Sequence, residues 1–216
     1  MKNFIKLIRP KHYFKNLFIL LPLFFSGQIN NTELLLDGLV AFIAFSLVAS
    51  SIYIFNDYKD IYNDRKHPIK KFRPLASGLI KKSTALNLMI IFLISGSILM
   101  YFLSLKSFII LTIYILLNFA YSLKLKQIAL LDVTIIASGF VLRIFTGSFA
   151  YEVPLTIWIV IMTFLIALFL ALAKRRDDVL ILNKSGKKTR KSIDGYNLKL
   201  IDGIMIMMSA VVIVAY

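Results

Sequence analysis

The sequence predicts an all-α membrane protein built as a polytopic bundle of transmembrane helices. Three observations favour this class: 59% of the 216 residues are apolar, 17% are charged, and the mean hydropathy is +0.79. A soluble domain is about one quarter charged. A bilayer admits only helices and closed barrels, and the long apolar runs lack the strict alternation of barrel strands. Cysteine is absent, which excludes disulfide and thiol chemistry.

Seven apolar segments are the predicted spans. Each approaches the roughly 20 residues that an α-helix needs to cross a bilayer, although Pro22 interrupts the first. In chain order they are residues 16–30, 38–55, 84–104, 107–122, 130–150, 155–173 and 200–216. No small-residue cleavage site follows the basic N-terminal segment, so we do not expect it to be a removed signal peptide.

Basic residues lie almost entirely on one side of these spans. If the N-terminus is cytoplasmic, four segments on that side hold 24 of the 26 Lys and Arg residues. These segments are residues 1–15, 56–83, 123–129 and 174–199. Because cytoplasmic loops are enriched in Lys and Arg, we expect an integral protein of the cell (inner) membrane with these segments in the cytoplasm. Anionic lipid headgroups then account for most of the net charge of +15, and nucleic acid is not a required partner.

An acid cluster follows the second predicted span. On a helix, four oxygen-bearing side chains would fall within an arc of about 100°; they are Asn56, Asp57, Asp60 and Asp64. Such carboxylates repel one another unless a cation binds, and oxygen ligands select hard cations such as Mg²⁺, which shares its shell with substrate phosphates. The alternative is a solvated helix end neutralised by Lys59 and Arg65. The basic residues that follow suit a polyanionic ligand.

Two further polar clusters are predicted on the same side. One is residues 174–178, "KRRDD", directly after a span, and the other is "YSLKLK" at 121–126. Within one span, Asp132 and Arg143 lie eleven residues apart and share a helix face, too far apart to touch. An arginine inside a membrane faces a cavity or a partner, or it is tied to carbonyls. Small residues such as Gly147 favour close helix packing.

The acid cluster and four other segments resemble a known family. "NDYKDIYNDRKHP" at 56–68 is similar to the NDxxDxxxD signature of the UbiA-type intramembrane prenyltransferase superfamily. The chain looks most like its decaprenyl-phosphate phosphoribosyltransferase (5-phosphoribose-1-diphosphate synthase) branch, over nearly its whole length. The segments that carry this likeness are "RPKHYFKNLFILLPLFFSG" at 9–27, "NDYKDIYNDRKHPIKKFRPLASG" at 56–78, "YSLKLKQIALLDVTIIASGFVLRIFTGSFA" at 121–150, "ALAKRRDDV" at 171–179 and "TRKSIDGYNLKLID" at 189–202.

The resemblance implies a bundle of about nine transmembrane helices, so residues 1–216 are expected to form a single UbiA-like transferase domain lacking its C-terminal helices. It also implies Mg²⁺ as cofactor, held with a diphosphate by Asn56 and the three acids of the cluster. The catalytic residues would be Asp57, Asp60, Asp64 and Lys126. Substrate contacts are expected, from the resemblance and the polar clusters together, at Asn56, Arg73, Tyr121, Arg143, Lys174, Arg175, Arg176 and Asp177.

The second acidic motif departs from the DxxxD pattern of the superfamily. Ile181 stands four residues after Asp177, and Leu182 four residues after Asp178. This departure fits a second site that reads phosphoribose in place of an allylic diphosphate, or a contribution from Asp194.

The reaction implied by the resemblance is Mg²⁺-dependent transfer of 5-phosphoribose from phosphoribosyl diphosphate to a polyprenyl (decaprenyl) phosphate, with release of diphosphate. A second hypothesis is transfer of a prenyl group from a prenyl diphosphate to an aromatic or other lipid acceptor. A third is a cation transporter or structural membrane protein, which would carry ionisable residues near the midplane of several spans. The expected partners are the two substrates and membrane lipids, and no oligomeric state is predicted.

Overall fold

The computed structural model describes residues 2–186 and 191–215, and this part of the chain contains helices and no strand. The all-α prediction is confirmed. The α-helices are α1 (Lys2–Ile8), α2 (Leu21–Phe25), α3 (Thr32–Lys66), α4 (Lys82–Leu103), α5 (Leu105–Leu123), α6 (Leu131–Tyr151), α7 (Ile157–Ser185) and α8 (Leu198–Ala215). Short 3₁₀ helices cover Pro10–Leu20, Lys70–Phe72, Leu125–Gln127 and Lys191–Gly195. Residues 187–190, which fall within the predicted basic segment and the last family-like segment, lie outside the described residues, as does Tyr216.

Five of the described helices, α3 to α7, are long and apolar enough to cross a membrane. They match the second to sixth predicted spans, and α8 coincides with the last. The predicted span 16–30 is not one α-helix, because the chain there is a 3₁₀ helix to Leu20 followed by the five-residue α2. Pro22 has no backbone N–H to donate, which agrees with the change of helix type at this point.

Two helices continue well beyond the apolar runs that predicted them. α3 begins at an N-cap, where Asn31 Oδ1 accepts hydrogen bonds from the backbone of Glu33 and Leu34. It ends before Pro68, whose ring disfavours helical geometry in the preceding residue. α7 ends at Gly186, which has φ 65° and supplies the left-handed C-terminal residue. The acid cluster and the "KRRDD" cluster therefore lie on the same continuous helices as the spans before them.

Packing divides the chain into two compact units. Unit 1 comprises the chain up to Ser122 together with Leu142–Pro154, and unit 2 comprises Leu123–Val141 together with the chain from Leu155 onward. The core of unit 1 contains Phe45, Leu111 and Tyr114, and that of unit 2 contains Leu172 and Ile201. The single domain over 1–216 stays a prediction.

Two glycines of unit 1 allow backbones to approach closely. A Cβ atom at Gly96 would lie 2.6 Å from the Ala44 carbonyl oxygen, and one at Gly147 would overlap the carbonyl oxygen of Ile19. Neither approach leaves room for a side chain. The expectation that Gly147 serves close packing is confirmed.

Candidate functional site

Two of the four predicted oxygen ligands converge on a single nitrogen atom. Arg73 Nη1 donates to Asp57 Oδ1 at 3.0 Å and to Asp64 Oδ2 at 2.8 Å. Seven residues is close to two helical turns, so both carboxylates leave α3 on one face. Asp57 is 2% exposed and Asp64 is 3% exposed, and Asn56 and Asp60 are half-buried on the same helix. A buried carboxylate requires a paired cation, and Arg73 supplies it to both.

A second arginine binds the same acid from the start of the chain. Arg9 Nη2 donates to Asp57 Oδ1 at 2.5 Å, and its guanidinium carbon lies 5.3 Å from the centre of the Tyr53 ring. Arg9 has φ 55° and ψ 58°, a left-handed conformation that is rare for a non-glycine residue, and Pro10 follows it. Backbone strain of this kind clusters at functional sites, where surrounding contacts hold it.

The loop after α3 folds back over the acids and brings Arg73 to them. His67 Nδ1 accepts hydrogen bonds from the backbone of Ile69 and Lys70, closing the turn after α3. Arg65 Nε donates to the Ala76 carbonyl oxygen at 3.0 Å, and Leu75 is buried in an apolar cluster of unit 1. These contacts tie the loop down on both sides of Arg73, so its ion pairs belong to an ordered structure.

The acid cluster fits a divalent cation only in competition with Arg73. In residues 2–186 and 191–215, no three Asp, Glu, His or Cys side chains are gathered as metal ligands. Asp57 and Asp64 nevertheless aim one oxygen each at a shared cationic atom. Mg²⁺ is typically bound by one or two carboxylates together with substrate phosphates, so this pair of oxygens suits it. An ion bound there would displace Arg73, which would then be free to pair with a phosphate.

Unit 2 holds a separate buried network around Asp132, which is fully buried. Its Oδ2 accepts hydrogen bonds from Arg175 Nε at 2.7 Å and Ser192 Oγ at 3.0 Å, and its Oδ1 accepts one from the Tyr196 hydroxyl at 2.5 Å. The same hydroxyl accepts a hydrogen bond from the Leu130 backbone N–H at 2.9 Å. Arg175 was predicted to contact substrate, but it is 1% exposed and turned inward to this carboxylate.

Tyr196→Phe is expected to lower the free energy of unfolding by about 1–3 kcal/mol. The substitution removes the hydroxyl that donates to Asp132 Oδ1 and accepts from the Leu130 backbone N–H. Burial, and then the hydrogen bond to Asp132, raise the pKa of Tyr196 above its usual value. The unfolded chain therefore loses this proton first, near pH 10. The stabilisation is complete below that pH and declines above it.

Unfolding measured at pH 7 and again above about pH 10 checks both parts of this prediction. The difference between wild type and Tyr196→Phe should be smaller at the higher pH. Tyr101→Phe is the matched control, since Tyr101 is exposed and should show little effect at either pH. A difference that grows with pH would contradict the raised pKa.

The other predicted residues of unit 2 lie nearer the surface. Lys174 and Asp177 are exposed on α7, and Arg176 Nε donates to Asp202 Oδ1 at 2.6 Å, with both side chains about two-fifths exposed. Lys126 is half-buried in the 3₁₀ helix Leu125–Gln127 of unit 2. Tyr121 is half-buried near the end of α5, in unit 1.

Arg143 was also predicted to contact substrate, but it lies inside the core of unit 1. It is 4% exposed, and its Nε donates to Asn16 Oδ1 at 2.9 Å while Nη2 donates to the Tyr114 hydroxyl at 3.1 Å. Its guanidinium carbon lies 5.0 Å from the ring centres of both Phe45 and Tyr114. Asn16 is in turn held by Ser46. These contacts give Arg143 a role in packing and explain how an arginine is accommodated within a span; its contact with substrate stays a prediction.

Arg143→Leu is therefore expected to destabilise the fold by about 2–4 kcal/mol, through unsatisfied buried groups and lost cation–π contacts. Unfolding in detergent measures the loss. Lys106→Leu removes an exposed cation and serves as the control, with a change near zero. A stable Arg143→Leu protein with a raised KM would restore Arg143 as a substrate contact.

Neither Arg9 nor the network around Asp132 was predicted to be functional. Arg9 lies in the family-like segment 9–27. The three carboxylates of the acid cluster were a signal that more than one arginine would pair with them. Asp132 was noted at the start of a span, but nothing in the sequence pointed to Arg175, 43 residues on, as its partner.

Comparison with known proteins agrees with this architecture. The sequence model of the UbiA prenyltransferase family matches residues 17–216. The chain belongs to the UbiA prenyltransferase family. This UbiA-family chain is 32% identical over 220 residues to the decaprenyl-phosphate phosphoribosyltransferase of Mycolicibacterium smegmatis, covering 100% of this chain and 69% of that protein. It is also 32% identical to the Corynebacterium glutamicum protein of the same name, covering 98% of this chain and 65% of that one.

Solved structures share the UbiA fold. A UbiA homolog from Archaeoglobus fulgidus, bound to DMAPP and Mg²⁺, superposes with a TM-score of 0.80 at 20% identity, over 99% of this chain and 76% of its own. Family membership, the apolar helices and the phosphoribosyltransferase relatives together make this protein an integral membrane enzyme, a transferase of the UbiA family.

Proposed function

We propose that this protein transfers 5-phosphoribose from phosphoribosyl diphosphate to a polyprenyl phosphate in a Mg²⁺-dependent reaction. The observation that carries the proposal is the pair of buried carboxylates on α3, Asp57 and Asp64, that share one nitrogen of Arg73. Support for the phosphoribosyl donor comes from the two relatives named decaprenyl-phosphate phosphoribosyltransferase. Decaprenyl phosphate is the acceptor that their name suggests.

The reaction forms one bond and breaks another at C1 of the ribose. The C1–O bond to diphosphate breaks, and the leaving diphosphate keeps the electron pair. A phosphate oxygen of the polyprenyl phosphate forms the new C1–O bond. Bound Mg²⁺ supplies positive charge that neutralises the diphosphate as it leaves.

The residues of unit 1 divide these tasks. Asn56, Asp57, Asp60 and Asp64 would hold the metal with the diphosphate. Arg73 and Arg9, once released from Asp57, would pair with the leaving phosphates and stabilise the negative charge that develops on them. Tyr121 stays a predicted substrate contact, as do Lys174, Arg176 and Asp177 of unit 2. Lys126 of unit 2 stays a predicted catalytic residue.

The location of the reaction follows from the basic residues. The acid cluster continues α3 beyond its apolar run and sits among eight of the Lys and Arg residues predicted to be cytoplasmic. We therefore place the reaction at the cytoplasmic face of the cell membrane, where a soluble sugar diphosphate and a lipid phosphate meet. The expected partners are these two substrates and the membrane lipids.

A second function, prenyl transfer, is favoured by one observation. Two solved structures of the UbiA homolog from Archaeoglobus fulgidus hold DMAPP or GPP with Mg²⁺. A diphosphate leaving group is common to both reactions, and the acid cluster alone serves either one.

A transfer assay separates the two donors. Purified protein with Mg²⁺, radiolabelled phosphoribosyl diphosphate and polyprenyl phosphate should give a labelled lipid, and EDTA should abolish it. A labelled product only from a prenyl diphosphate and an aromatic or other lipid acceptor would replace the phosphoribosyl reading with prenyl transfer.

A further inference from the structure

A basic cleft lies on the side of α3 that faces away from the acid cluster. It has a volume of about 390 Å³ and belongs entirely to unit 1. The residues that line it are Tyr58, Lys59, Ile61, Tyr62, Arg65 and Lys82. Three of the six are cations and none is an acid. The proposed function uses none of them.

The cations of this cleft are available to a ligand. Lys59 and Lys82 are exposed, and neither forms a hydrogen bond or ion pair with the residues that the structure describes. Arg65 donates its Nε to the Ala76 carbonyl oxygen, which fixes the side chain in place. Lys66 Nζ donates to the Tyr62 hydroxyl at 2.8 Å and lies 4.1 Å from the centre of its ring, which orients that tyrosine.

The cleft stands where an apolar surface gives way to a polar one. Its floor is Ile61, which belongs to a buried cluster with Ile54 and Ala85. Lys82 is the first residue of α4. In the most apolar 18-residue stretch of this helix, only 11% is buried inside the protein. Tyrosine and lysine side chains typically occupy this level of a membrane protein, beside the lipid headgroups.

We propose that this cleft binds the headgroup of an anionic glycerophospholipid of the surrounding bilayer. Lys59, Lys82 and Arg65 pair with its phosphate, while the exposed apolar face of α4 accompanies its acyl chains. Basic residues near an anionic lipid surface attract it, and three cations that converge on one cleft also favour one kind of headgroup over another.

The cleft does not serve the polyprenyl phosphate at the proposed reaction site. Measured around α3 from Asn56, the α3 residues of the cleft fall between about 140° and 300°, and the acids between about 40° and 100°. The cleft therefore opens on a different face of α3 from the one that carries Asp57 and Asp64. This proposal does not depend on which group the enzyme transfers.

The test compares two headgroups and two pairs of substitutions on the full chain in detergent micelles. Dioctanoyl phosphatidylglycerol should bind and raise the unfolding temperature, and dioctanoyl phosphatidylcholine should do so far less. Lys59→Gln with Lys82→Gln should weaken phosphatidylglycerol binding by about tenfold or more. Lys11→Gln with Lys71→Gln removes the same charge outside the cleft and should leave the binding constant within about twofold.

Several results would overturn the proposal. Equal binding of both lipids would show no choice of headgroup, and equal weakening by both pairs would show only general charge attraction. If the cleft pair weakens polyprenyl phosphate binding but not phosphatidylglycerol binding, the occupant is the acceptor. On wild-type protein, a phosphatidylglycerol photolabelled near its headgroup should mark peptides containing 58–65 or 79–85, and labelling elsewhere would also overturn it. Binding by Asp64→Asn should be normal, which separates this proposal from the proposed function.

Discussion

Asp64→Asn is expected to lower transferase turnover by about 100-fold or more while the protein still folds and inserts. Asp64 and Asp57 share Arg73 Nη1 in a buried position, and an amide at 64 removes one of the two negative charges that would hold a metal. The leaving diphosphate then lacks part of the charge that stabilises it. The initial rate with phosphoribosyl diphosphate and polyprenyl phosphate measures the loss.

A direct metal readout distinguishes this cause from misfolding. Mn²⁺, used as a probe for Mg²⁺, should raise the unfolding temperature of wild-type protein, as any ligand of the native state does. It should raise that of Asp64→Asn much less. Asp37→Asn makes the same change near the other end of α3 and should keep both turnover and the Mn²⁺ effect. Turnover retained by Asp64→Asn would refute the metal site.

Asp132→Ala is expected to destabilise the protein by about 3–5 kcal/mol, the largest structural effect predicted for this chain. The substitution removes the shorter, buried ion pair of Arg175, which keeps the 3.5 Å contact of its Nη1 with Asp178 Oδ2, and it leaves Ser192 and Tyr196 without this acceptor. Because Ser192 lies in the short helix Lys191–Gly195 and Tyr196 directly follows it, the loss should also loosen the chain there. Unfolding in detergent and protease cleavage near 191–197 measure these two effects.

Two control variants isolate the buried charge as the cause. Asp132→Ala with Arg175→Met removes both charges, so part of the lost stability should return. Asp202→Ala breaks an ion pair with Arg176 that is about two-fifths exposed on both sides, and it should cost about 1 kcal/mol or less. Equal losses of stability for Asp132→Ala and Asp202→Ala would show that burial does not determine how much the Asp132–Arg175 ion pair contributes to stability.

Much of the candidate site could be predicted because it lies on one helix. The spacing of Asp57, Asp60 and Asp64 fixes them on one face by helical geometry alone, and the structure confirms that residues 56–64 are helical. The roles of Arg143 and Arg175 could not be predicted in this way. Arg143 was expected at substrate because an arginine within a span is costly, and Arg175 because of the family resemblance and its place in the "KRRDD" cluster. The sequence does not show whether either arginine has an internal partner.

The sequence by itself determined that this protein is a helical membrane protein of the UbiA family. The length of its apolar segments and its local motifs do not depend on how the helices pack. Only the tertiary structure decided which charges pair. Arg9 reaches Asp57 across 48 residues, Arg143 reaches Asn16 across 127, and Tyr196 reaches Asp132 across 64. A buried charge must find a partner, and which partner it finds depends on how distant segments pack, which no local pattern records.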